Sequence, residues 1–187
     1  MRIPDAQRLG EVGDGWQVSI TTLMNERLAV GEAPPPDAAE ILDLARRIDI
    51  DGHPALDDSA VREKIADWYV EAQGLKHTRS RIMTALAHGR APGPEASISK
   101  LVSANKLQSI ATNGCDLMDM GGILMGASDT LDDALYQQAY LYAPGLRIAG
   151  GSDEILRNVI AERVLGLPGD IRIDRDRPFK DVPTGKG

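Results

Sequence analysis

The sequence contains a single cysteine, Cys115, among its 187 residues. One thiol excludes an internal disulfide, and it excludes zinc or iron–sulfur sites built from several cysteines. Such sparing use of cysteine predicts a protein of the reducing cytoplasm.

Aromatic residues are also scarce, at 4% of the chain, whereas aliphatic residues are abundant and methionine occurs six times. This balance disfavours β-sandwiches and barrels and favours a core of interdigitating helices. Because hydrophobic residues make up 42% and charged residues 26%, close to globular averages, a folded chain is expected.

Basic residues are outnumbered, so that the formal net charge is -7. Nucleic-acid binding depends on a basic surface that releases phosphate counterions, so neither a nucleic acid nor an anionic membrane is an expected partner. Long apolar runs are missing as well, since the longest, residues 120–127, is too short to span a bilayer and contains three glycines. The N-terminus shows no signal-peptide pattern.

Apolar residues recur instead at three- and four-residue steps, which is the spacing of amphipathic helices. The first stripe begins at Trp16 and continues through Ile20 and Leu23. The predicted helices cover about 16–30, 36–48, 59–89, 98–118, 129–142 and 152–165. Asp37 and Glu40 favour the start of the second helix, and Ser152 is the expected cap of the last.

Turn residues separate these helices. The fourth helix is predicted to end at Gly121-Gly122, and residues 144–151 are predicted to form a loop. No strand or internal repeat is expected. The prediction is an all-α, up-down four-helix bundle with extra short helices over residues 16–166, preceded by a linker at 1–15 and followed by an extended tail at 167–187.

No self-sufficient catalytic motif is present, since the sequence has no phosphate-binding loop and no HExxH. His53, His77 and His88 do not belong to one local sequence motif. The residues alone therefore indicate only a soluble helical bundle, with no metal site.

Three stretches of the sequence nevertheless resemble the C-terminal domain of acyl-CoA dehydrogenases. They are Gly15-Trp16 with Leu23-Met24-Asn25-Glu26-Arg27, then Gly121-Gly122, and finally Ile148-Ala149-Gly150-Gly151-Ser152-Asp153-Glu154-Ile155-Leu156-Arg157-Asn158 leading to the Leu-Gly-Leu-Pro at 165–168. The last stretch is the most specific. Its style resembles actinobacterial members that act in the β-oxidation of fatty acids and steroid side chains.

The resemblance implies that a larger enzyme surrounds this domain. Family members are longer, because an N-terminal helical domain and a middle β-domain hold much of the FAD and of the acyl-CoA. The expectation is that this chain is a truncation, or the product of a gene whose start was placed late, and that it is inactive alone.

The family reaction removes the α proton of an acyl-CoA thioester while the β hydrogen leaves as hydride to FAD, which gives a trans-2-enoyl-CoA. In many members the base is a glutamate just before the Gly-Ser of the last block, where this sequence has Gly150. In other members a Glu-Arg pair of the first helix supplies it, so the resemblance identifies Glu26 as the candidate base. The alternative is that Glu26 is an ordinary solvated helix residue.

At about 100° per residue, Glu26 lies on the flank of the stripe that begins at Trp16. Partial burial there would raise the pKa of its carboxyl toward the range of a useful base.

The resemblance also implies contacts with cofactor and substrate. Gly121 and Gly122 match a pair that approaches the FAD pyrophosphate, with a simple helix end as the alternative, and Arg47 roughly matches an arginine that pairs with FAD phosphates. Ser152 and Glu154 match flavin-contacting positions, with helix capping as the alternative. The expected substrate-binding residues are Arg27, Gly150 and Gly151.

The implied partners are the acyl-CoA substrate, an electron-transfer flavoprotein or similar acceptor, and either further copies of this chain, as a dimer or tetramer, or a related dehydrogenase subunit. A second hypothesis is a non-catalytic structural or assembly subunit of a heteromeric acyl-CoA dehydrogenase.

Overall fold

The computed structural model describes residues 3–30, 34–90, 93–126, 129–169, 171 and 177–182, and leaves out the side chains of residues 24–30 and 179. Six helices make up most of it: α1 (Gly15–Val30), α2 (Ala38–Arg47), α3 (Ser59–Ala87), α4 (Ala96–Leu117), α5 (Leu135–Ile148) and α6 (Asp153–Arg163). The all-α prediction is confirmed. Among the described residues, no helix is long and apolar enough to cross a bilayer.

Helix α4 is the centre of the bundle, because α1, α2, α3, α5 and α6 all pack against it. One core cluster joins α2 and α3 to α4 and α5, and its largest members include Ile41, Trp68 and Tyr136. A second cluster fills the α4–α5 contact. The ring of Tyr136 lies where a Cβ on Gly114 would stand, so this glycine allows α5 to approach α4 closely.

Short elements connect the helices. Strands β1 (Asp49–Ile50) and β2 (His53–Pro54) form an antiparallel hairpin around Asp51 and Gly52, which have φ of 54° and 85°. Asp-Gly is the usual pair in such a turn, because both central residues need positive φ. The prediction of no strand was therefore wrong at this one turn. Segments of 3-10 helix occupy Asp5–Gln7, Ala55–Asp57, Asp119–Ile123, Leu131–Ala134 and Phe179–Asp181.

The prediction of a loop at residues 144–151 was wrong for residues 144–148, since α5 continues through Pro144 to Ile148. Ala143 and Leu146 on either side of the proline are buried against the bundle. Their packing against α4 outweighs the single backbone hydrogen bond that a proline removes. Helix α5 also begins later than predicted, after a turn in which Asp132, Asp133 and Ala134 all have positive φ.

The apolar stripe of α1, predicted as one face of an amphipathic helix, is partly exposed. Trp16 is 74% exposed, Ile20 37% and Leu23 39%. The helix forms at the predicted place, where Trp16 is largely exposed and Ile20 and Leu23 are each covered over more than half of their surface.

Helix α2 is fixed to α4 through Asp37, its N-cap residue. The Asp37 carboxylate accepts from the backbone N–H of Glu40, and the Glu40 carboxylate accepts from the N–H of Asp37 at 2.9 Å, so that the two acids form a capping box. The Asp37 carboxylate also accepts from the N–H of Ala38 at 2.7 Å. The same Asp37 carboxylate lies 2.6 Å from Nζ of Lys106, whose side chain is only 6% exposed.

We expect Asp37→Ala to lower the free energy of unfolding by about 2 kcal/mol, because it removes both the cap and the partner of a buried ammonium. Asp37→Asn, which keeps the cap, should cost about 1 kcal/mol. Urea unfolding measures both values. The matched control is Asp58→Ala, which removes the cap of α3 without touching a buried charge and should cost about 1 kcal/mol. Equal losses for the two alanine variants would contradict this interpretation.

Candidate functional site

The loop between α5 and α6, residues 149–152, brings together several residues singled out in the sequence. Gly150 and Gly151 have φ of 66° and 107°, which favour glycine over any residue with a Cβ. A Cβ built on Gly150 would meet no other group within 4 Å. At Gly150 the loop therefore leaves open the space that a Cβ would fill, and a second molecule could approach its backbone there.

Lys100 of α4 supports this loop from inside the bundle. Its side chain has no exposed surface, and its ammonium donates to the carbonyl oxygen of Gly151 at 2.6 Å and to that of Arg147 at 3.2 Å. A buried ammonium is tolerated only where protein oxygens replace its water. Lys100 thus ties the loop and the last turn of α5 to the central helix.

An ion pair joins the two helices on either side of the loop. Nη2 of Arg147 lies 2.5 Å from Oδ2 of Asp153, a residue that is 3% exposed. The Asn105 amide donates to the same oxygen at 3.3 Å, and Nη1 of Arg147 donates to the side-chain oxygen of Gln108 at 2.8 Å. The end of α5 and the start of α6 are therefore both fastened to α4.

The sequence analysis missed this support, although one signal for it was available. Lys100 falls on the same helical stripe as Ser97, Ala104, Leu107 and Ala111, all of which are buried. A lysine at a core position of an apolar stripe predicts a buried cation with specific partners.

Ser152 stands at the N-cap position of α6, as predicted, but its hydroxyl makes no capping hydrogen bond. It bonds instead to the carboxylate of Glu154. The pKa of Glu154 is lowered, first by the backbone N–H of the same residue and then by this hydroxyl. Glu154 is thus an exposed, ionised carboxylate beside the loop.

Gly121 and Gly122 lie in the 3-10 segment after α4 and do not themselves end the α-helix, which stops at Leu117. A Cβ on Gly122 would stand 2.2 Å from the carbonyl oxygen of Cys115, so the close approach at Gly122 is to the chain's own backbone. A Cβ on Gly121 would have Met118 at 3.9 Å as its nearest neighbour. Nothing inside the described chain requires glycine at 121, which leaves that position open to contact from outside.

Arg47 is paired within the chain. Its Nη2 donates to both carboxylate oxygens of Asp132, at 3.0 and 2.8 Å, and its Nε lies 3.0 Å from Asp43. The pKa of Arg47 is raised, with the hydrogen bond to Asp132 as the largest cause. An incoming phosphate would have to compete with two carboxylates for this guanidinium.

Glu26 and Arg27 occupy the C-terminal half of α1, and their side chains lie outside the described residues. Their neighbours Ile20 and Leu23, toward the N-terminus of the helix, are exposed. The expected partial burial of the Glu26 carboxyl stays a prediction.

A concave region lies away from the loop, between the hairpin, α3 and the end of α4, with a volume of about 470 Å³. Its apolar lining includes Ile65 and Trp68. Its charged lining residues are Lys64 and four aspartates, Asp49, Asp51, Asp116 and Asp119. Within the described residues, no group of histidine, cysteine, aspartate or glutamate is arranged to hold a metal ion.

Comparison with known proteins identifies the relatives of this chain. The family model for the acyl-CoA dehydrogenase C-terminal domain matches residues 13–165. The chain is 32% identical, over 168 residues in each case, to the acyl-CoA dehydrogenase FadE34 of Mycobacterium tuberculosis and to the acyl-CoA dehydrogenase IpdE1 of Mycolicibacterium smegmatis. These alignments cover 89% and 88% of this chain, but only 22% and 40% of the relatives.

Solved structures support the same fold. The ChsE4-ChsE5 complex of Mycobacterium tuberculosis matches with a TM-score of 0.70 and 20% identity, over 90% of this chain and 45% of the solved chain. At this identity the likeness concerns the fold alone.

The contact between Gly122 and Cys115 can be tested by stability. We expect Gly122→Ala to lower the free energy of unfolding by about 3 kcal/mol, because the new methyl group would overlap a backbone oxygen. The matched control, Gly121→Ala, should stay within about 0.5 kcal/mol of wild type. Urea unfolding gives both values.

Cys115 supplies a second readout for the same pair of variants. Burial raises the pKa of its thiol, so alkylation should be slow in the wild type. It should become faster in Gly122→Ala but not in Gly121→Ala. If Gly122→Ala is as stable as Gly121→Ala, the inferred close contact between Gly122 and the Cys115 carbonyl is contradicted.

Proposed function

The chain belongs to the acyl-CoA dehydrogenase family and forms its C-terminal helical domain, and from this premise we propose that it completes an enzyme that oxidises acyl-CoA thioesters to trans-2-enoyl-CoA. The family match over residues 13–165 carries this proposal, because it takes in the bundle and the whole loop at 149–152. The chain spans less than half the length of the relatives it matches. The proposed activity is accordingly that of an assembly in which this chain is one part.

The residues of the loop fit a bound FAD. Gly150 and Gly151 offer backbone that a large planar group can approach, and Gly121 offers a second approach without a Cβ. Arg47 fits less well, because a phosphate would have to displace Asp132 from it. We propose that contact to the cofactor is made by Gly121 and the segment from Gly150 to Ser152, and that Gly122 serves the packing against Cys115 instead.

The negative charge of Glu154 restricts how the cofactor lies. FAD carries phosphates, and an exposed, ionised carboxylate at the start of α6 repels them. Ser152, which bonds to this carboxylate, would therefore contact an uncharged part of FAD if it contacts the cofactor at all. When bound, FAD supplies the acceptor for the β hydride.

The α proton of the thioester has to be removed by a side chain of the protein. Gly150 has no side chain with which to accept it, so we assign the α proton of the thioester to the Glu26 carboxylate. Because the proton and the hydride leave from opposite faces of the substrate, Glu26 has to lie across the acyl chain from the flavin. Arg27, next to it in α1, and the open backbone at Gly150 and Gly151 are proposed to line the substrate path.

The exposed stripe of α1 supports the need for an assembly. A glutamate acts best as a base at neutral pH when burial raises its pKa. Exposure of an apolar side chain such as Trp16 to water is unfavourable, and a surface that covers it would remove this cost in free energy. We propose that the other domains of the enzyme, in this or an associated polypeptide, or another copy of this chain cover this face. An electron-transfer flavoprotein or a similar acceptor would then reoxidise the cofactor.

A second candidate function is that of a non-catalytic assembly subunit. The structurally similar ChsE4-ChsE5 is a complex of two subunits, and a domain can contribute to such a complex without supplying its base. The two candidates differ in whether the carboxylate of Glu26 is needed.

Glu26→Gln in the assembled enzyme separates these candidates. The assembly can be obtained by co-expression with a partner subunit or by fusion to the N-terminal and β-domains of a relative. Loss of the general base should slow enoyl-CoA formation by about 10²- to 10⁴-fold, while the flavin content stays unchanged. The matched control is Glu63→Gln on the exposed surface of α3, which should retain full activity. A rate near that of the wild type for Glu26→Gln would favour the assembly role.

The chain by itself should not turn over. With added FAD and an acyl-CoA, we expect no substrate-dependent loss of flavin absorbance, because the surfaces proposed to enclose the flavin and to cover α1 are supplied by other domains. Anaerobic absorbance spectroscopy measures this directly, with the assembled enzyme as the positive control. Bleaching of the flavin by the chain alone would show that these surfaces are not needed.

A further inference from the structure

Lys100 is a buried cation for which the proposed reaction has no direct use. Its side chain has no exposed surface, and it contacts the proposed substrate path from inside the bundle, through the carbonyl of Gly151. We propose that Lys100 is a positioning residue, whose ammonium sets the place of Gly151 and Ser152 relative to the bundle. This inference rests on the proposed function, because it assigns to Lys100 the alignment of the loop that contacts the flavin.

The two acceptors of Lys100 explain how one side chain can set the loop. The Arg147 carbonyl belongs to the last turn of α5, where carbonyl groups have no partner within the helix. The Gly151 carbonyl lies four residues further on and belongs to the second residue of the glycine pair. By bonding to both, the ammonium closes a short ring of chain around Gly150 and lies favourably at the negative end of the α5 dipole.

Glycine makes such a tie necessary. Gly150 and Gly151 both have positive φ, and glycine has the largest choice of alternative backbone conformations of any residue. Without an internal anchor, the loop could change conformation at little cost. The Arg147–Asp153 ion pair fixes the two helices that flank the loop, and the Lys100 ammonium donates to the Gly151 carbonyl within the loop itself.

Lys106 offers a matched control on the same helix. It is also buried, at 6% exposure, and its ammonium is also bonded to an oxygen at 2.6 Å. That oxygen belongs to Asp37 at the start of α2, so its loss affects another part of the bundle. Replacing either lysine by methionine keeps most of the volume and removes the charge.

Hydrogen exchange on the chain measures the effect of each variant on the loop. We expect Lys100→Met to speed exchange at the amides of residues 150–153 by at least about tenfold relative to amides in the middle of α4, as loss of a charge-assisted hydrogen bond implies. Lys106→Met should speed exchange near the start of α2 and leave that ratio unchanged. Equal acceleration of the loop by the two variants would overturn the proposal.

The wild-type chain keeps the inference testable if Lys100→Met fails to fold. The loop amides of the wild type should exchange in the same cooperative unit as α4. Loop amides that open independently and rapidly would overturn the proposal without any variant.

Flavin affinity then tests the positioning role in the assembled enzyme. Lys100→Met should weaken FAD binding by at least about tenfold, measured by flavin fluorescence, whereas Lys106→Met should not. A looser loop with unchanged FAD affinity would overturn the positioning role. If the wild-type assembly does not bind FAD at all, the proposed function fails, while the exchange data still decide whether Lys100 holds the loop.

Discussion

A charge that is removed from water has to be satisfied by protein oxygens, and this constraint organises the centre of the molecule. Helix α4 carries two buried lysines, and each one fixes a different neighbour. Lys106 bonds to Asp37 at the start of α2, and Lys100 bonds to the carbonyls of Arg147, before the glycine pair that precedes α6, and of Gly151, the second glycine of that pair. Because the acceptors are specific atoms, these contacts determine position, whereas the apolar contacts around them supply most of the stability.

The helices could be predicted from the sequence because each one obeys a local rule. The acidic cap at Asp37 and the apolar stripe of α2 mark that helix without any knowledge of its neighbours. Pro144 shows where local rules stop. The cost of a proline inside a helix is intrinsic, but the burial of Ala143 and Leu146 that offsets it depends on α4, which lies far away in the sequence. The exposure of Trp16 could not be predicted for the same reason, since periodicity identifies an apolar face but not the surface that covers it.

The candidate site was predictable to a different extent. The family resemblance predicted that the segment from Gly150 to Glu154 belongs to the site, and the structure places those residues together in one loop and at the start of α6. The support beneath the loop could not be found from motifs, because Lys100 is about fifty residues away and is joined to Gly151 only by the fold. Gly122 illustrates a related limit. A glycine can be needed for contact with a ligand or with the chain's own backbone, and only the position of the Cys115 carbonyl distinguishes the two.

We propose that this domain supplies the base of an acyl-CoA dehydrogenase from α1 rather than from the loop before α6. A crystal structure of the assembled enzyme with FAD and a non-reactive acyl-CoA analogue tests this proposal most directly. We expect the Glu26 carboxylate to lie within about 3 Å of the position of the α proton, across the acyl chain from the flavin. A different carboxylate at that place, with Glu26 facing solvent, would contradict it.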